Sequence, residues 1–342
     1  MSAVASVDAA KARLIDAAPL LDVRSLRVEF PTRRGTLVAV RDVSFAIAPG
    51  EVLGVVGESG AGKSLTGAAI IGLIDPPGRI AGGEIRLSGR RIDNLPYESM
   101  RKIRGREIGA VFQDPLTSLN PLYPISRQLV ETIRTHLDLT EAAARQRAIQ
   151  LLEEVGIPAA ARRIDHYPHQ FSGGMRQRVV IALALAAKPK LIIADEPTTA
   201  LDVSIQAQII QLLKRLTREH GTAVMLVTHD MGVIAETADR VAVMYAGRIV
   251  EIGPVADVIH RPRHPYTVGL MGSIPSIAEG SERLAQIDGT MPRLTAIPSG
   301  CAFHPRCTRA LSRCHIERPE LARGGATEAA CWNPVFRPDH PQ

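Results

Sequence analysis

Short apolar runs alternate with amphipathic stretches from about residue 21 onward. Four runs stand out because each precedes a polar or glycine-rich turn: Val52–Val56, Ile108–Phe112, Leu191–Ala194 and Ala223–Val227. Uniformly apolar runs of this length are typical of parallel strands that are buried on both faces. Their alternation with helical patterns predicts a layered α/β domain. We expect residues 1–20 to form a loose tail ahead of this domain.

The middle of the chain, about residues 117–187, has a mostly helical pattern. Thr140 is placed to cap a helix from Glu141 to about Val155, and Gly156 is placed to end it. We therefore predict that about residues 117–187 form a helical subdomain inserted into the α/β domain.

A separate helix, from Ser64 to about Ile74, is expected after the first apolar run.

The composition changes near the C-terminal quarter of the chain. Val241–Met244 and Arg248–Ile252, with Ala246-Gly247 between them, predict a terminal hairpin. Beyond about residue 260 prolines become frequent and all four cysteines of the chain appear. We expect one domain over residues 21–260 and a small Cys-rich extension over residues 261–342.

Composition allows a large aliphatic core, since 45% of the 342 residues are hydrophobic and only 4% are aromatic. The net charge of +6 is dispersed, so it permits an acidic partner without identifying one. No apolar run approaches the ~20 residues that a transmembrane helix needs. Asp8, Lys11, Arg13 and Asp16 interrupt the N-terminal apolar residues, so we expect no secretory signal and a cytoplasmic chain.

A glycine-rich segment follows the first apolar run and has the pattern G-x-x-x-x-G-K-[ST]. Its eight residues are Gly57, Glu58, Ser59, Gly60, Ala61, Gly62, Lys63 and Ser64. Backbone N–H groups in such a loop surround phosphate oxygens, and the following helix points its positive end at them. Lys63 would reach the β- and γ-phosphates, and Ser64 would ligate magnesium. We add Leu65 to the residues expected to contact the nucleotide.

Two acidic residues, Asp195 and Glu196, follow the apolar run Leu191–Ala194. In an open α/β sheet, the carboxyl ends of the strands are where ligands bind. Beside a phosphate loop, Asp195 would hold the magnesium shell and Glu196 would act as general base toward the attacking water. A solvated turn is the alternative interpretation of this pair when it is considered alone.

A third segment, from Phe171 through Ser172, Gly173 and Gly174 to Met175, opens a long helical pattern. A hydroxyl, bare backbone amides and a helix dipole together form an anion site. A plain N-cap explains Ser172 alone, but it does not explain two glycines in the first turn of a helix.

In these motifs the chain resembles the ATP-binding cassette (ABC) family over about residues 21–260. The resemblance implies a P-loop NTPase nucleotide-binding domain, with a RecA-like core, an antiparallel β-subdomain and a helical insertion. It identifies Gln113 with the Q-loop glutamine, which also approaches Mg²⁺, and His229 with the histidine that contacts the γ-phosphate. It identifies Asp202, in Ala200-Leu201-Asp202, with the D-loop, and Phe30 with the aromatic residue that stacks on adenine. Phe171 and Met175 depart from the usual Leu-Ser-Gly-Gly-Gln signature at its two ends, while Ser172, Gly173 and Gly174 match it.

Two further segments resemble ATPases of oligopeptide and dipeptide importers. They are Phe112–Pro121 and His264-Pro265-Tyr266-Thr267 with the Cys-bearing tail. The resemblance implies ATP hydrolysis coupled to uptake of di- or oligopeptides at the cytoplasmic face of the inner membrane. Expected partners are a paralogous ATPase in a head-to-tail heterodimer, two permease subunits and, indirectly, a substrate-binding protein. Nucleic acid is not expected as a partner.

Several alternatives stay open from the sequence. Related importers carry nickel or other small solutes, and the cargo is chosen by subunits outside this chain. A non-transport cassette ATPase acting on DNA or ribosomes is disfavoured, because there is one cassette and no heptad run between Gln113 and Ser172. A non-catalytic scaffold subunit is disfavoured because Glu196 and His229 are both present.

Cys301, Cys307, Cys314 and Cys331 form the pattern C-x5-C-x6-C-x16-C. A cluster of cysteines in a reducing compartment indicates a metal site before it indicates disulfides. Zinc sites usually contain a tight pair of cysteines two to four residues apart, and none is present. Wide spacing favours a larger iron–sulfur cluster. The importer resemblance implies a [4Fe-4S] cluster, with zinc, free thiols or disulfides as the alternatives.

Overall fold

The computed structural model describes residues 18–199, 201–272 and 287–335. Residues 1–17 of the expected tail and Ala200 of the D-loop therefore lie outside the described residues. The chain forms two compact units, each built from separate stretches of sequence. The first unit comprises Met1–Asp22, Ala46–Val52 and Arg86–Leu226, and the second comprises Val23–Phe45, Leu53–Ile85 and Val227–Gln342.

The described residues contain strands and helices in an alternating order typical of α/β proteins. The strands are β1 Leu21–Thr32, β2 Gly35–Ile47, β3 Val52–Val56, β4 Arg79–Leu87, β5 Arg90–Arg91, β6 Ile108–Val111, β7 Leu191–Asp195, β8 Ala223–Val227, β9 Arg240–Tyr245, β10 Arg248–Pro254, β11 Ala322–Gly324 and β12 Thr327–Ala329. The α-helices are α1 Lys63–Ile70, α2 Tyr97–Ile103, α3 Pro115–Ser118, α4 Ile125–His136, α5 Glu141–Glu154, α6 Ala160–Arg163, α7 Gly173–Leu185, α8 Val203–His220, α9 Met231–Thr237, α10 Val255–His260 and α11 Pro265–Gly272. Single 3₁₀ turns lie at Pro168–Gln170, His304–Arg306 and Ser312–His315.

Parallel strands form the core of the first unit. Strands β6 and β7 pair in parallel from Ile108↔Leu191 to Val111↔Ala194, and β8 lies on the other side of β7. Helix α7 packs closely over β6 at Gly109, where an added Cβ would lie 2.4 Å from the carbonyl oxygen of Ala184. The predicted parallel strands are thereby confirmed. Phe112 lies outside β6, and the residue is 47% exposed.

The segment between β6 and β7 is mostly helical, as predicted from its sequence pattern. The Thr140 hydroxyl accepts a hydrogen bond from the N–H of Ala143 at 3.3 Å and caps helix α5. Gly156 has a φ of 77°, which suits a residue just past a helix end. One side of α5 is buried and includes Ala144, Ala148 and Leu151.

Helix α1 is shorter than the predicted helix from Ser64 to about Ile74. It begins at Lys63 and ends at Ile70, and Gly72 follows with a φ of 65°. The N–H groups of Gly72 and Leu73 turn back to the carbonyl oxygens of Ala69 and Ala68 at 3.1 and 2.8 Å. These bonds satisfy the last helical carbonyls, so the glycine ends the helix.

The main sheet of the second unit has the strand order β11-β12-β10-β9-β3. Strands β9 and β10 form the predicted hairpin, with Ala246 and Gly247 at φ 47° and 79° in its turn. The hairpin is not terminal, however, because β12 pairs with β10 at Glu251↔Ala329. The prediction of a terminal hairpin was wrong because a strand about 80 residues further along the chain completes the pairing of β10.

Glu251 of β10 and His264, which lies just before α11, are buried polar residues in contact with each other. The fully buried Glu251 carboxylate accepts hydrogen bonds from the N–H groups of Arg263 and His264 at 2.8 and 2.9 Å. Burial nevertheless raises the pKa of Glu251. The His264 ring accepts a hydrogen bond at Nδ1 from the N–H of Tyr266 at 3.0 Å, and burial lowers its pKa to about 3. The folded protein therefore holds His264 as a neutral imidazole near pH 7.

We expect His264 to lower the free energy of unfolding as pH drops from 7.5 to 5.5, because its imidazole binds a proton only in the unfolded chain. An imidazole of ordinary pKa in the unfolded state accounts for about 1.4 kcal/mol over this interval. The variant His264→Asn lacks the titrating group. Its free energy of unfolding should therefore fall by about 1.4 kcal/mol less than that of the unmodified protein over the same pH interval. Denaturant titrations at both pH values measure the difference, and equal losses in the two proteins would contradict the expectation.

Candidate nucleotide-binding site

The glycine-rich loop of the second unit connects β3 to α1. Three of its glycines have positive φ: Gly57 at 150°, Gly60 at 82° and Gly62 at 100°. A Cβ on Gly57 would lie 2.3 Å from the carbonyl oxygen of Met244, so no other residue fits there without displacing the backbone. Gly62 precedes the first turn of α1, and no side chain caps this end of the helix. This is the backbone arrangement that binds phosphate.

The ammonium group of Lys63 lies inside the loop. The residue is only 6% exposed, and its Nζ donates to the carbonyl oxygens of Gly57 at 2.8 Å and Glu58 at 3.1 Å. Ser64 and Leu65 follow in the first turn of α1, with Ser64 exposed. The lysine and the hydroxyl therefore lie at the end of the helix where an anion is stabilised.

Phe30 and His229 also belong to the second unit. The Phe30 ring packs against the backbone at Gly78, where a Cβ would come within 2.6 Å of a ring carbon. His229 is exposed and lies between β8 and α9. The neighbouring Asp230 caps α9, since its carboxylate accepts from the N–H groups of Gly232 and Val233 at 2.8 and 3.2 Å. The backbone beside His229 is thus fixed.

In the first unit, Gln113 and Glu196 are brought into contact. The Gln113 amide donates to Glu196 Oε2 at 3.1 Å, and the Thr199 hydroxyl donates to the same oxygen at 2.8 Å. These residues follow the adjacent parallel strands β6 and β7, whose carboxyl ends lie at one edge of the sheet. Asp195 is the last residue of β7 and is partly exposed.

Glu196 has a left-handed backbone, with a φ of 47°. Such a conformation is uncommon for residues other than glycine, and it costs on the order of 1–3 kcal/mol. The two hydrogen bonds to its carboxylate hold the side chain in one orientation. The sequence analysis missed Thr199, although its position three residues after Glu196 is the signal that could have identified it.

Ser172 caps helix α7 in the first unit, its hydroxyl accepting from the N–H of Met175 at 3.4 Å. Gly173 and Gly174 form the first turn, and a Cβ on Gly174 would lie 2.6 Å from a methyl group of Ile205 in α8. The second glycine therefore also permits close packing of α7 against α8. Asp202 caps α8 by accepting from the N–H of Ile205 at 3.0 Å, and that bond lowers the pKa of its carboxyl.

The four cysteines are partly or fully buried in the second unit, and backbone N–H groups hydrogen-bond to their sulfurs. Leu311 donates to Cys314 Sγ and Asn333 to Cys331 Sγ, both at 3.4 Å. The N–H groups of Phe303 and Arg309 make the corresponding bonds to Cys301 and Cys307.

Burial raises the pKa values of three of these thiols, that of Cys331 to about 11. Donated N–H groups are the usual surroundings of metal-bound thiolates. Within the described ranges, however, no group of three or more His, Cys, Asp or Glu side chains is arranged to hold a metal ion. The donor chemistry thus suits a metal, but the side-chain arrangement gives the predicted [4Fe-4S] cluster no support.

In the part of the chain that the structure describes, no helix is both long enough and apolar enough to cross a bilayer.

Comparison with known proteins relates both parts of the chain to one group of proteins. The ABC transporter family profile matches residues 40–199, and that of the oligopeptide/dipeptide transporter C-terminal region matches residues 250–314. The oligopeptide transport ATP-binding protein OppD of Bacillus subtilis is 48% identical, over 94% of this chain and 90% of its own length. The dipeptide transport ATP-binding protein DppD of Haemophilus influenzae is 45% identical, over 94% of this chain and 98% of its own.

Solved structures agree with this relation. The ATP-binding cassette MJ0796, a dimer in a post-hydrolysis state bound to ADP and Pi, superposes with a TM-score of 0.62 at 30% identity. That match covers 69% of this chain and 98% of the cassette. The predicted ABC nucleotide-binding fold is confirmed, and the chain is an ATP-binding ATPase of a transport system. The chain belongs to the ABC transporter family, within the group that carries the oligopeptide/dipeptide transporter C-terminal region.

Proposed function

We propose that this ATPase drives the import of di- or oligopeptides by hydrolysing ATP on a magnesium-bound nucleotide. The observation that carries the catalytic part is the Glu196 carboxylate, which Gln113 and Thr199 hold in one orientation. A general base must be oriented before it can accept a proton from the attacking water. The cargo assignment rests on relatives that are named for oligopeptide and dipeptide transport.

Each predicted site residue receives a proposed role in this reaction. Lys63 neutralises the β- and γ-phosphates, and its bonds to two loop carbonyls support a place inside the loop. His229 contacts the γ-phosphate and Phe30 stacks on adenine. Ser64, Gln113 and Asp195 form the magnesium shell. The remaining nucleotide contacts are assigned to Gly57, Glu58, Ser59, Gly60, Ala61, Gly62 and Leu65.

Ser172, Gly173, Gly174 and Asp202 are proposed to act on the nucleotide of a second cassette. In this arrangement two ATPase subunits meet head to tail, and each ATP is enclosed by the phosphate loop of one and the helix α7 N-terminus of the other. ATP binding then favours the closed pair, and hydrolysis releases it. The second cassette is proposed to be a paralogous subunit.

Two permease subunits are the proposed membrane partners of the helical segment after Gln113, and a substrate-binding protein would deliver the cargo to them. Two large apolar residues in that segment are exposed, Leu116 at 62% and Leu122 at 79%, and Phe112, just before Gln113, is 47% exposed. Exposed apolar side chains grouped in one stretch are typical of a protein interface. We place the assembly at the cytoplasmic face of the inner membrane. Import of nickel or another small solute is the alternative cargo hypothesis.

Replacing Glu196 by Gln should abolish ATP turnover while leaving ATP affinity nearly unchanged, because the base is lost and the phosphate loop is kept. Loss of a general base lowers the rate by about 100- to 10,000-fold. Lys63→Ala should instead weaken ATP binding itself. Steady-state ATPase rates and equilibrium ATP binding on both variants separate the two roles. Near-normal turnover in Glu196→Gln would contradict the assignment of the base.

Mixing this chain with its paralogous ATPase and the permeases should raise the ATPase rate well above that of the isolated chain. Ser172→Ala in this chain should then lower hydrolysis at the partner's nucleotide, since its hydroxyl is proposed to act there. Radiolabelled nucleotide trapped in each subunit shows which of the two ATP sites has lost hydrolysis. Full activity of the isolated chain at every concentration would refute the head-to-tail arrangement.

The four cysteines are proposed to hold a [4Fe-4S] cluster, a hypothesis that rests on the family resemblance and on the N–H groups directed at the four sulfurs. When bound, such a group would supply folding energy to a segment poor in apolar residues. Anaerobic purification should give a brown protein whose colour is lost when any one cysteine becomes Ser. A colourless protein with one zinc ion, or with no metal, would refute the cluster.

A further inference from the structure

Arg306, in the C-terminal extension, contacts the phosphate loop. Its Nη1 donates to both carboxylate oxygens of Glu58, at 3.0 and 3.1 Å, across 248 residues of sequence. The Arg306 side chain is only 7% exposed, and that of Glu58 is 28% exposed. A charge pair so largely shielded from water is screened much less than a surface salt bridge.

Tyr266, also in the extension, holds the same loop residue from its backbone. The Tyr266 hydroxyl accepts a hydrogen bond from the N–H of Glu58 at 2.9 Å, and its ring is fully buried. Burial raises the pKa of this phenol, so it stays neutral at physiological pH. The Glu58 carbonyl oxygen meanwhile accepts from Lys63. One loop residue is thus fixed at its N–H, its C=O and its carboxylate.

The Arg306 guanidinium is itself held rigidly. Its Nε donates to the carbonyl oxygen of Asp288 at 2.8 Å, and its Nη2 lies 3.3 Å from the carbonyl oxygens of Ile287 and Gly289. Its Cζ lies 5.9 Å from the ring centres of both Tyr245 and Phe303. A planar guanidinium fixed on several sides is a precise anchor, because it has little rotamer freedom left to lose.

A loop with three glycines has many conformations, and ordering such a chain costs about 1–2 kcal/mol per residue. A ligand that meets a disordered loop has to supply that free energy, whereas an ordered loop has already lost the entropy. Glu58 is next to Gly57, where the loop leaves β3, so fixing Glu58 restricts the direction in which the following residues turn.

We propose that Arg306 and Tyr266 are positioning residues of the phosphate loop, which they hold ready for ATP through Glu58. The extension thereby strengthens nucleotide binding without contacting the nucleotide. This inference rests on the proposed role of residues 57–64 as the phosphate loop. The inference gives the extension a role in ATP binding, separate from any role in the choice of partners or cargo.

The test measures ATP binding by calorimetry and steady-state kinetics on the full chain, the latter in the assembled transporter. Arg306→Met and Tyr266→Phe should each raise the Kd and KM for ATP about three- to tenfold, with kcat within about twofold. Glu58→Gln should raise the ATP Kd by a similar factor. Combining Arg306→Met with Glu58→Gln should add little to either single change, because both remove the same contact. Amide hydrogen exchange over residues 57–62 should become faster in all of them.

Arg313→Met is the matched control. Arg313 lies in the same extension, stacks 3.5 Å over Trp332 and pairs with Glu317, but belongs to that local cluster and not to the loop contact. It should leave the ATP Kd and loop exchange unchanged. The inference is overturned if Arg306→Met behaves like this control, or if the Arg306 and Glu58 effects are fully additive.

Two comparisons keep the result interpretable. If Arg306→Met unfolds the extension, Glu58→Gln and Tyr266→Phe, which retain both ring packing and Arg306, decide the question by the same Kd criterion. Lys63→Ala tests the underlying site. Unchanged ATP affinity in Lys63→Ala refutes the phosphate-loop assignment, whereas loss of affinity there with normal affinity in the Glu58, Tyr266 and Arg306 variants refutes the positioning role alone.

Discussion

The buried ammonium group of Lys63 is the charge around which the nucleotide-binding loop is folded. An ammonium removed from water is strongly destabilised unless hydrogen bonds replace its hydration. Here the carbonyl oxygens of Gly57 and Glu58 supply them. Those carbonyls can turn inward only because glycines allow the loop its positive φ angles. The lysine, the glycines and the loop conformation therefore depend on one another. When a nucleotide binds, phosphate oxygens would replace the two carbonyl oxygens as acceptors for the Lys63 ammonium group.

The carboxylate proposed as the general base, that of Glu196, is oriented by a different means. Glu196 has a left-handed backbone, which is costly for a side chain with a Cβ, and that cost is balanced by fixed partners. Gln113 follows a neighbouring strand and Thr199 belongs to the next turn, so one contact is long-range and one is local. Phosphoryl transfer requires little covalent chemistry from the protein, so such positioning is the main contribution that these side chains can make.

Sequence patterns predicted the features that depend on neighbouring residues. The buried strands, the Thr140 cap and the layered α/β class follow from local periodicity and turn chemistry, and the structure agrees. The ABC nucleotide-binding fold was expected from the family resemblance. The pairing of β12 with β10 and the contact of Arg306 with Glu58 could not be predicted, because each joins distant residues without any periodic signal. Gly174 was interpreted only as part of an anion site, whereas its missing Cβ also makes room for Ile205, which a single sequence does not reveal.

The position of the extension in the fold explains how it can influence the loop. Phe303 packs edge-on against Tyr245, at the end of β9, with ring centres 5.2 Å apart, and it also contacts the Tyr266 ring. Strand β9 pairs in parallel with β3, the strand that leads into the phosphate loop. The extension and the loop thus rest on the same two strands. Because packed strands and rings shift little independently of one another, this packing favours the hydrogen bonds from Arg306 to Glu58. A short polar segment can therefore act on the loop through one ion pair and one hydroxyl, since the sheet beneath already provides the alignment.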